Sequence, residues 1–339
     1  MSRPRRAPTM IDVARQAGVS PMTVSRAFSQ SASVSSETRA RVHQVAREMG
    51  YMFDTTASSL RSQRTDFVAV IIPSINNANF ADMVRALSET LKPRGLQILL
   101  GYTDYDVQKE EELIGQLLRR RPEAIVLTGG KHTPEARSLL QNAAIPVIET
   151  WDLPEAPIGH VVGFSNFAAV GSMVDHFVAQ GRRRIAFIGG DANGDTRGAD
   201  RRAGFVAAMG RHGLDATRLV AAGPPPVSMR HGAAAMAHLL ETLPETEAVI
   251  CVSDLSAFGA LSECQRRGIA VPERLWVAGF GDYEIAAICV PPLATINPFP
   301  LEIGAQAAQI ILEALDGKAD EPRTVPIRTE LLLRRSASD

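Results

Sequence analysis

The residues best suited to chemistry lie near the N-terminus, in the run TMIDVARQAGVSPMTVSRAFS from Thr9 to Ser29. Met22, Thr23, Ser25 and Arg26 are available outward on one short segment, while Val24 and Phe28, four apart, face inward. Hydroxyls and a guanidinium at the start of a helix suit the base edges and phosphates of a DNA major groove. The same run specifies the elements that would present them. Thr9 can cap a first helix with Asp12 three residues on, Val13, Ala14 and Ala17 give that helix an apolar face, and Gly18 supplies the left-handed residue that ends it. Ser20 is a good N-cap and Pro21 fits the first position of a second helix, where its missing N–H does no harm. The pattern is a helix-turn-helix.

Charge agrees with that reading. Residues 1–64 hold ten Arg and no Lys against Asp12, Glu37, Glu48 and Asp54, a net of +6, so the rest of the chain carries −7. A basic head on an acidic body is expected where one module neutralises phosphates and the other does something else. The 339 residues, 45% of them hydrophobic, suffice for a headpiece (1–64) and a body (65–339) with a sizeable core. No apolar run approaches the ~20 residues needed to span a bilayer. The basic start, MSRPRRAPT, lacks the hydrophobic core of a signal peptide, so a cytoplasmic protein is expected. Cys251, Cys264 and Cys289 are odd in number and lack C-x-x-C spacing, which points to packing residues.

Beyond residue 66, continuous apolar runs (FVAVII, QILLGYT, AIVLTG, PVIET, then IAFIGG, AVICVSD and WVAGFGD) alternate with amphipathic helices in two series. Such runs are strands of parallel sheets covered on both faces, and two series mean two lobes. Enzyme motifs are wanting: GFSNF at Gly163–Phe167 lacks the second Gly of a nucleophile elbow, and no Walker A, H-E-x-x-H or G-x-G-x-x-G follows a strand. His132, His160, His176, His212, His231 and His238 are scattered, so neither a catalytic nor a metal site is expected, and no cofactor.

The headpiece continues through V-S-x-x-T-x-x-x-V at Val34–Val42, GY at Gly50–Tyr51 and A-x-x-L at Ala57–Leu60. With DVARQAGVSPMTVSR, these residues closely resemble the Lac repressor family of bacterial transcription regulators over essentially the whole chain. The resemblance implies an all-α helix-turn-helix headpiece with a third helix at about Ser36–Met49 and a hinge helix at about 55–61. An α/β periplasmic-binding-protein-like body of two doubly wound parallel-sheet lobes would follow. Crossings are expected near Val161, Pro291 and Pro322, giving lobe 1 as 65–161 and 292–321 and lobe 2 as 162–291 and 322–339. By the same resemblance Thr9, Ser35 and Thr38 contact phosphate, Pro21, Met22 and Arg26 face bases, and Leu60 is a minor-groove wedge. Met10, Ser20, Thr23, Ser25, Ser29 and Ala57 complete the expected DNA surface. Pro21 and Met22 cannot make the bidentate base contacts of Gln or Asn, which leaves direct readout mainly to Arg26. Phe53 and Asp54 stand where the family usually has Pro and Asn.

An effector should bind between the lobes, at the carboxyl ends of strands. Ser74, Asn79, Phe80, Glu149, Trp151, Arg197, Ser253, Asp254 and Asp282 are the candidates, Asp254 equally readable as a helix N-cap. Sugar-binding members usually carry Asn before this Asp, DN where this chain has Ser165–Asn166, and Asp after GF where it has Gly281. Losing acids while keeping Arg197 favours an anion over a neutral sugar. KHTP at Lys131, VGFSNFAA at Val162, ECQRRGI at Glu263 and NPFPLEIGAQAAQ at Asn297 are similar to the gluconate-utilisation repressors within the family. The expectation is a repressor that binds a palindromic operator in double-stranded DNA as a homodimer and responds to a sugar acid such as gluconate or a phosphorylated relative. A neutral sugar or purine effector is the alternative. A transport binding protein and a sugar-processing enzyme are the rival classes; the headpiece argues against the first and the missing catalytic constellation against the second.

Overall fold

The computed structural model describes residues 6–28, 33–52, 65–191, 194–318 and 321–338. The chain divides into two compact units, Met1–Arg64 and Thr65–Asp339. In the first, α1 (Met10–Ala17), α2 (Pro21–Phe28) and α3 (Ser36–Met49) enclose Val13, Ala14, Ala17, Val24, Ala27, Val42 and Ala46. The caps explain the boundaries. Thr9 and Asp12 form a reciprocal capping box on α1, Ser35 caps α3 through the Thr38 N–H, and Gly18 and Gly50 close α1 and α3 in left-handed conformations at φ 64° and 68°. Ser29, Ala57, Leu60 and the expected hinge helix lie outside the described residues.

The second unit contains two parallel sheets. The first runs β11-β5-β4-β3-β1-β2, from β1 (Phe67–Ile72), β2 (Gln97–Tyr102), β3 (Ala124–Thr128), β4 (Val147–Thr150), β5 (His160–Gly163) and β11 (Thr324–Pro326). Strand alternation splits its core. Val68, Val70, Ile72, Ala124, Val126 and Ile148 pack against α4 (Ala78–Leu91) and α12 (Pro300–Leu315). Ala69, Ile71, Ile125, Leu127 and Val147 face α5 (Val107–Leu118) and α6 (Pro134–Gln141). Gly304 lets α12 lie directly on α4, since a Cβ there would come within 2.2 Å of the Met83 carbonyl.

The second sheet, β7-β6-β8-β9, comprises β6 (Ile185–Ile188), β7 (Leu219–Val220), β8 (Ala248–Cys251) and β9 (Trp276–Ala278). It is covered by α7 (Asn166–Ala179) and α8 (Thr196–Arg211) on one face, and by α9 (Met229–Thr242) and α10 (Asp254–Arg266) on the other. A short α11 (Glu284–Ile288) leads to β10 (Thr295–Asn297), which pairs antiparallel with β12 (Glu330–Leu332).

Strand pairing moves the lobe crossings from their expected places. Val161–Gly163 pair with β11 inside the first sheet, so the chain leaves that lobe after Gly163. Ala294 bridges to Ala278 of the second sheet, so Pro291 lies within lobe 2 and the return follows Asn297. The last crossing follows Pro326, because Thr324–Pro326 are still hydrogen-bonded to β5. Prolines marked breaks in the chain, but ladder hydrogen bonds decide where a lobe ends.

Candidate functional site

On the headpiece, Pro21, Met22 and Arg26 are exposed along α2, Met22 to 52%. Ser20 caps α2, its hydroxyl accepting the Thr23 N–H at 3.1 Å and meeting the Thr23 hydroxyl at 2.9 Å. Ser35 and Thr38 repeat that pairing at the start of α3, at 3.0 Å between hydroxyls. The N-termini of α2 and α3 thus present hydroxyls next to backbone N–H groups, an arrangement that favours phosphate oxygens, whereas the Thr9 hydroxyl of α1 donates to the Asp12 carboxylate at 2.6 Å. Arg39 ties α3 to α2 by donating to the Ala27 carbonyl at 2.6 Å. Met10 is half-buried and packs against the headpiece core.

In the second unit, loops at the carboxyl ends of both sheets surround a cavity containing about 660 Å³ of space, part of it open to solvent. Five of the expected residues line it: Asn79, Phe80, Trp151, Arg197 and Ser253. Phe80 and Trp151 meet edge to face at 5.2 Å, and Phe164 continues the aromatic wall from Trp151 to Phe280. Arg197 is 5% exposed, donates 3.1 Å to the Thr128 carbonyl of the other lobe and lies over the Phe80 ring.

The strongest feature was not anticipated. Arg201, one helical turn beyond Arg197 on α8, also lines the cavity. It donates to Asn166 Oδ1 at 2.9 Å and to the Val252 carbonyl at 2.8 Å, and stacks 3.6 Å over Phe280. Burial lowers its pKa to about 10, against which the nearby Asp195 carboxylate only partly compensates. Among the described residues neither guanidinium has a carboxylate in ion-pair contact. Asp195, also on the wall, caps α8 through the Gly198 N–H. The i, i+4 spacing of the two arginines was the available signal.

Asn77, Tyr105 and Tyr283 also line the cavity. Burial raises both phenols, which keeps them neutral donors. A side chain at Gly281 would project to within 2.5 Å of the Tyr283 ring and 2.9 Å of Asn79 Nδ2. Tyr283 therefore fills the space that an acid after Gly279–Phe280 would need.

Four expected contacts are engaged elsewhere and do not line the cavity. Ser74 is buried and accepts the Asn76 N–H at 3.2 Å. Glu149 has no exposure and accepts the Ile158 N–H at 2.6 Å. Asp254 is the first residue of α10, not its cap, which is Ser253; its carboxylate accepts the Tyr283 N–H at 2.8 Å and the Thr295 hydroxyl at 2.5 Å. Burial raises its pKa to about 6 despite those two bonds. Asp282 pairs with Arg334 at 2.7 Å and accepts from Asn297 at 3.1 Å. These acids hold strands and loops together, so the cavity wall keeps an excess of positive charge. The three cysteines are buried, and no helix among the described residues is long and apolar enough to cross a membrane.

The fold and these two surfaces define a DNA-binding head carried with a small-ligand cleft. Residues 9–53 match bacterial regulatory proteins of the lacI family, and residues 174–337 match a periplasmic binding protein-like domain. The chain is 36% identical, over 97% of its length and 95% of the relative's, to the HTH-type transcriptional regulator GntR of Pseudomonas aeruginosa. It is 31% identical to the HTH-type transcriptional regulator IdnR of Escherichia coli K12, over 93% of this chain and 94% of that one. A LacI-family transcriptional regulator from Silicibacter pomeroyi superposes with a TM-score of 0.91 at 32% identity, covering 98% of this chain and 100% of that one. The chain belongs to the lacI family of bacterial regulatory proteins. It is a DNA-binding transcriptional regulator, not an enzyme.

Proposed function

We propose that the protein is a cytoplasmic repressor of sugar-acid utilisation genes that binds a palindromic operator as a homodimer and responds to gluconate or a related sugar acid. The observation that carries the effector class is the pair Arg197 and Arg201 on one cavity wall, neither of them in ion-pair contact with a carboxylate among the described residues. A guanidinium pair suits bidentate, charge-assisted capture of a carboxylate. Phe80 and Trp151 would cover the carbon chain, while Asn79, Ser253 and the Tyr105 and Tyr283 phenols would take hydroxyls. Arg197 belongs to one lobe and reaches the Thr128 carbonyl of the other, so a bound anion would bias lobe closure and through it the dimer's hold on DNA. In the headpiece, Pro21, Met22 and Arg26 are proposed to face bases, with Thr9, Ser20, Ser35 and Thr38 on phosphates. Fluorescence anisotropy with an operator selected by the protein from a pool of random duplexes tests this reading. Gluconate should change operator affinity and glucose should leave it unchanged; equal effects of the two would remove the anionic-effector proposal.

A further inference from the structure

The loop between β3 and α6, residues 129–133, carries contacts between the lobes that the effector reading leaves unexplained. Lys131 Nζ lies 2.9 Å from Asp200 Oδ1 on α8. Thr128, just before the loop, gives its carbonyl to Arg197, and a Cβ at Gly129 would come within 2.9 Å of Arg197 Nη1. The backbone thus approaches the guanidinium closely.

This loop is held from behind by a buried cluster. His132 Nδ1 is 2.6 Å from Glu110 Oε1 of α5, and its Nε2 is 3.5 Å from Glu149 Oε1 of β4, with the His132 side chain only 1% exposed. Apart from that approach, His132 Nε2 and Glu149 Oε1 have no hydrogen-bond partner among the described residues. Thr133 adds a bond to Glu111 at 2.5 Å, and Glu110 and Lys131 both line a second small cavity that Arg197 also borders. The charged groups around the ring are therefore Glu110 and Glu111 from α5, Glu149 from β4, Lys131 beside it in the loop, and Arg197 beyond. Burial opposes a charge on the imidazole, but the Glu110 and Glu149 carboxylates outweigh it and raise the ring to about 9.

We propose that His132 is a positioning residue of the effector site: clamped as an imidazolium between Glu110 and Glu149, it fixes the loop so that the Thr128 carbonyl and Lys131 meet Arg197 and Asp200 of the opposite lobe. The inference rests on the reading of the cleft as the effector site, yet it makes a claim about the ligand-free protein that can be checked separately. The ring, not the effector, orders the surface on which Arg197 is held.

The test is hydrogen exchange on the full-length protein, comparing wild type with H132Q and with E110Q, which keeps the ring and loses one flank. Both variants should exchange faster not only at residues 129–133 but also at 194–200 in the other lobe, by about tenfold if the coupling is of ordinary allosteric size. Faster exchange confined to the first lobe would overturn the proposal and leave the cluster a local brace. If H132Q does not fold, E110Q decides the same comparison. Calorimetry with gluconate then supplies a pH profile. Wild-type affinity should fall more steeply with rising pH in the region of 9 than that of H132Q, which starts weaker and keeps only the dependence both proteins share through Arg201. A wild type that ignores gluconate would refute the effector reading, and the exchange data would still decide the role of His132.

Discussion

Replacing Arg201 with Met separates a residue kept for the fold from one kept for the ligand. The change retains length and apolar contact with Phe280 but removes the cation that stacks on that ring at 3.6 Å. On the cost side, Asn166 Oδ1 and the Val252 carbonyl lose their donors. Each orphaned acceptor costs about 1–3 kcal/mol, and the lost cation–π contact about 1 kcal/mol. On the other side, burial disfavours the charge and pulls the pKa from the ordinary arginine range down to about 10. At 1.36 kcal/mol per unit, that is a penalty of about 3 kcal/mol, which the variant no longer bears. The sign is clear: a base whose folded pKa is depressed destabilises the fold at every pH below about 10, and the penalty fades as pH rises from there towards the ordinary arginine range. The opposing effects partly cancel, so R201M should lower the unfolding free energy at neutral pH by about 0–4 kcal/mol. Its affinity for a carboxylate effector should fall by about 2–5 kcal/mol, because the bound anion would lose a desolvated partner. Urea unfolding and calorimetry on one preparation measure both. A large loss of stability with unchanged affinity would refute the reasoning and make Arg201 a structural cation.

Asp254 provides a pH prediction. Its folded pKa is raised from 3.8 to about 6, so its stabilising protonation is complete below about pH 4 and lost as pH rises through 6. Wild type should lose about 3 kcal/mol relative to D254N between pH 4 and 7.5 in urea titrations, and a pH-independent difference would show that the carboxylate is not held in a low-dielectric site. On DNA, R26A should cost about 1–3 kcal/mol on the cognate operator and relax preference at one base pair per half-site, as scored by binding to single-substitution operators. Equal losses on all sequences would reassign Arg26 to phosphate. L60A, at a position outside the described residues, should reduce operator bending in a gel assay while leaving effector affinity of the DNA-free protein unchanged. Undiminished bending would remove the wedge assignment.

Much of the fold was legible because it is written locally. The capping residues Thr9, Ser20 and Ser35, the glycines at 18 and 50, and the Val/Ile runs of the strands are decided by near neighbours in the chain. The site was only half legible. Phe80, Trp151 and Arg197 follow strand ends in sequence and reach the cavity. Asp254, Asp282 and Glu149 also follow or end strands, but their oxygens go to Tyr283, Thr295, Arg334 and Ile158, partners that only the folded topology brings near. A buried acid at a strand end reads the same in sequence whether it meets a ligand or a backbone N–H. Arg201 was missed for the converse reason, since in DRRAGF it looks like one of several solvated helix arginines.

The central claim is that the cleft recognises negative charge, and calorimetry of the full-length wild type with gluconate and with glucose under the same conditions tests it most directly. Glucose is a ring in solution and gluconate an open chain, so glucitol, the open-chain alcohol that differs from gluconate only in lacking the C1 carboxylate, is titrated beside them as the matched neutral ligand. Saturable binding of gluconate with no measurable heat from glucose or glucitol is the predicted result. Glucitol or glucose binding as tightly as gluconate would contradict the account, because two arginines without a carboxylate in ion-pair contact among the described residues would then contribute nothing to recognition.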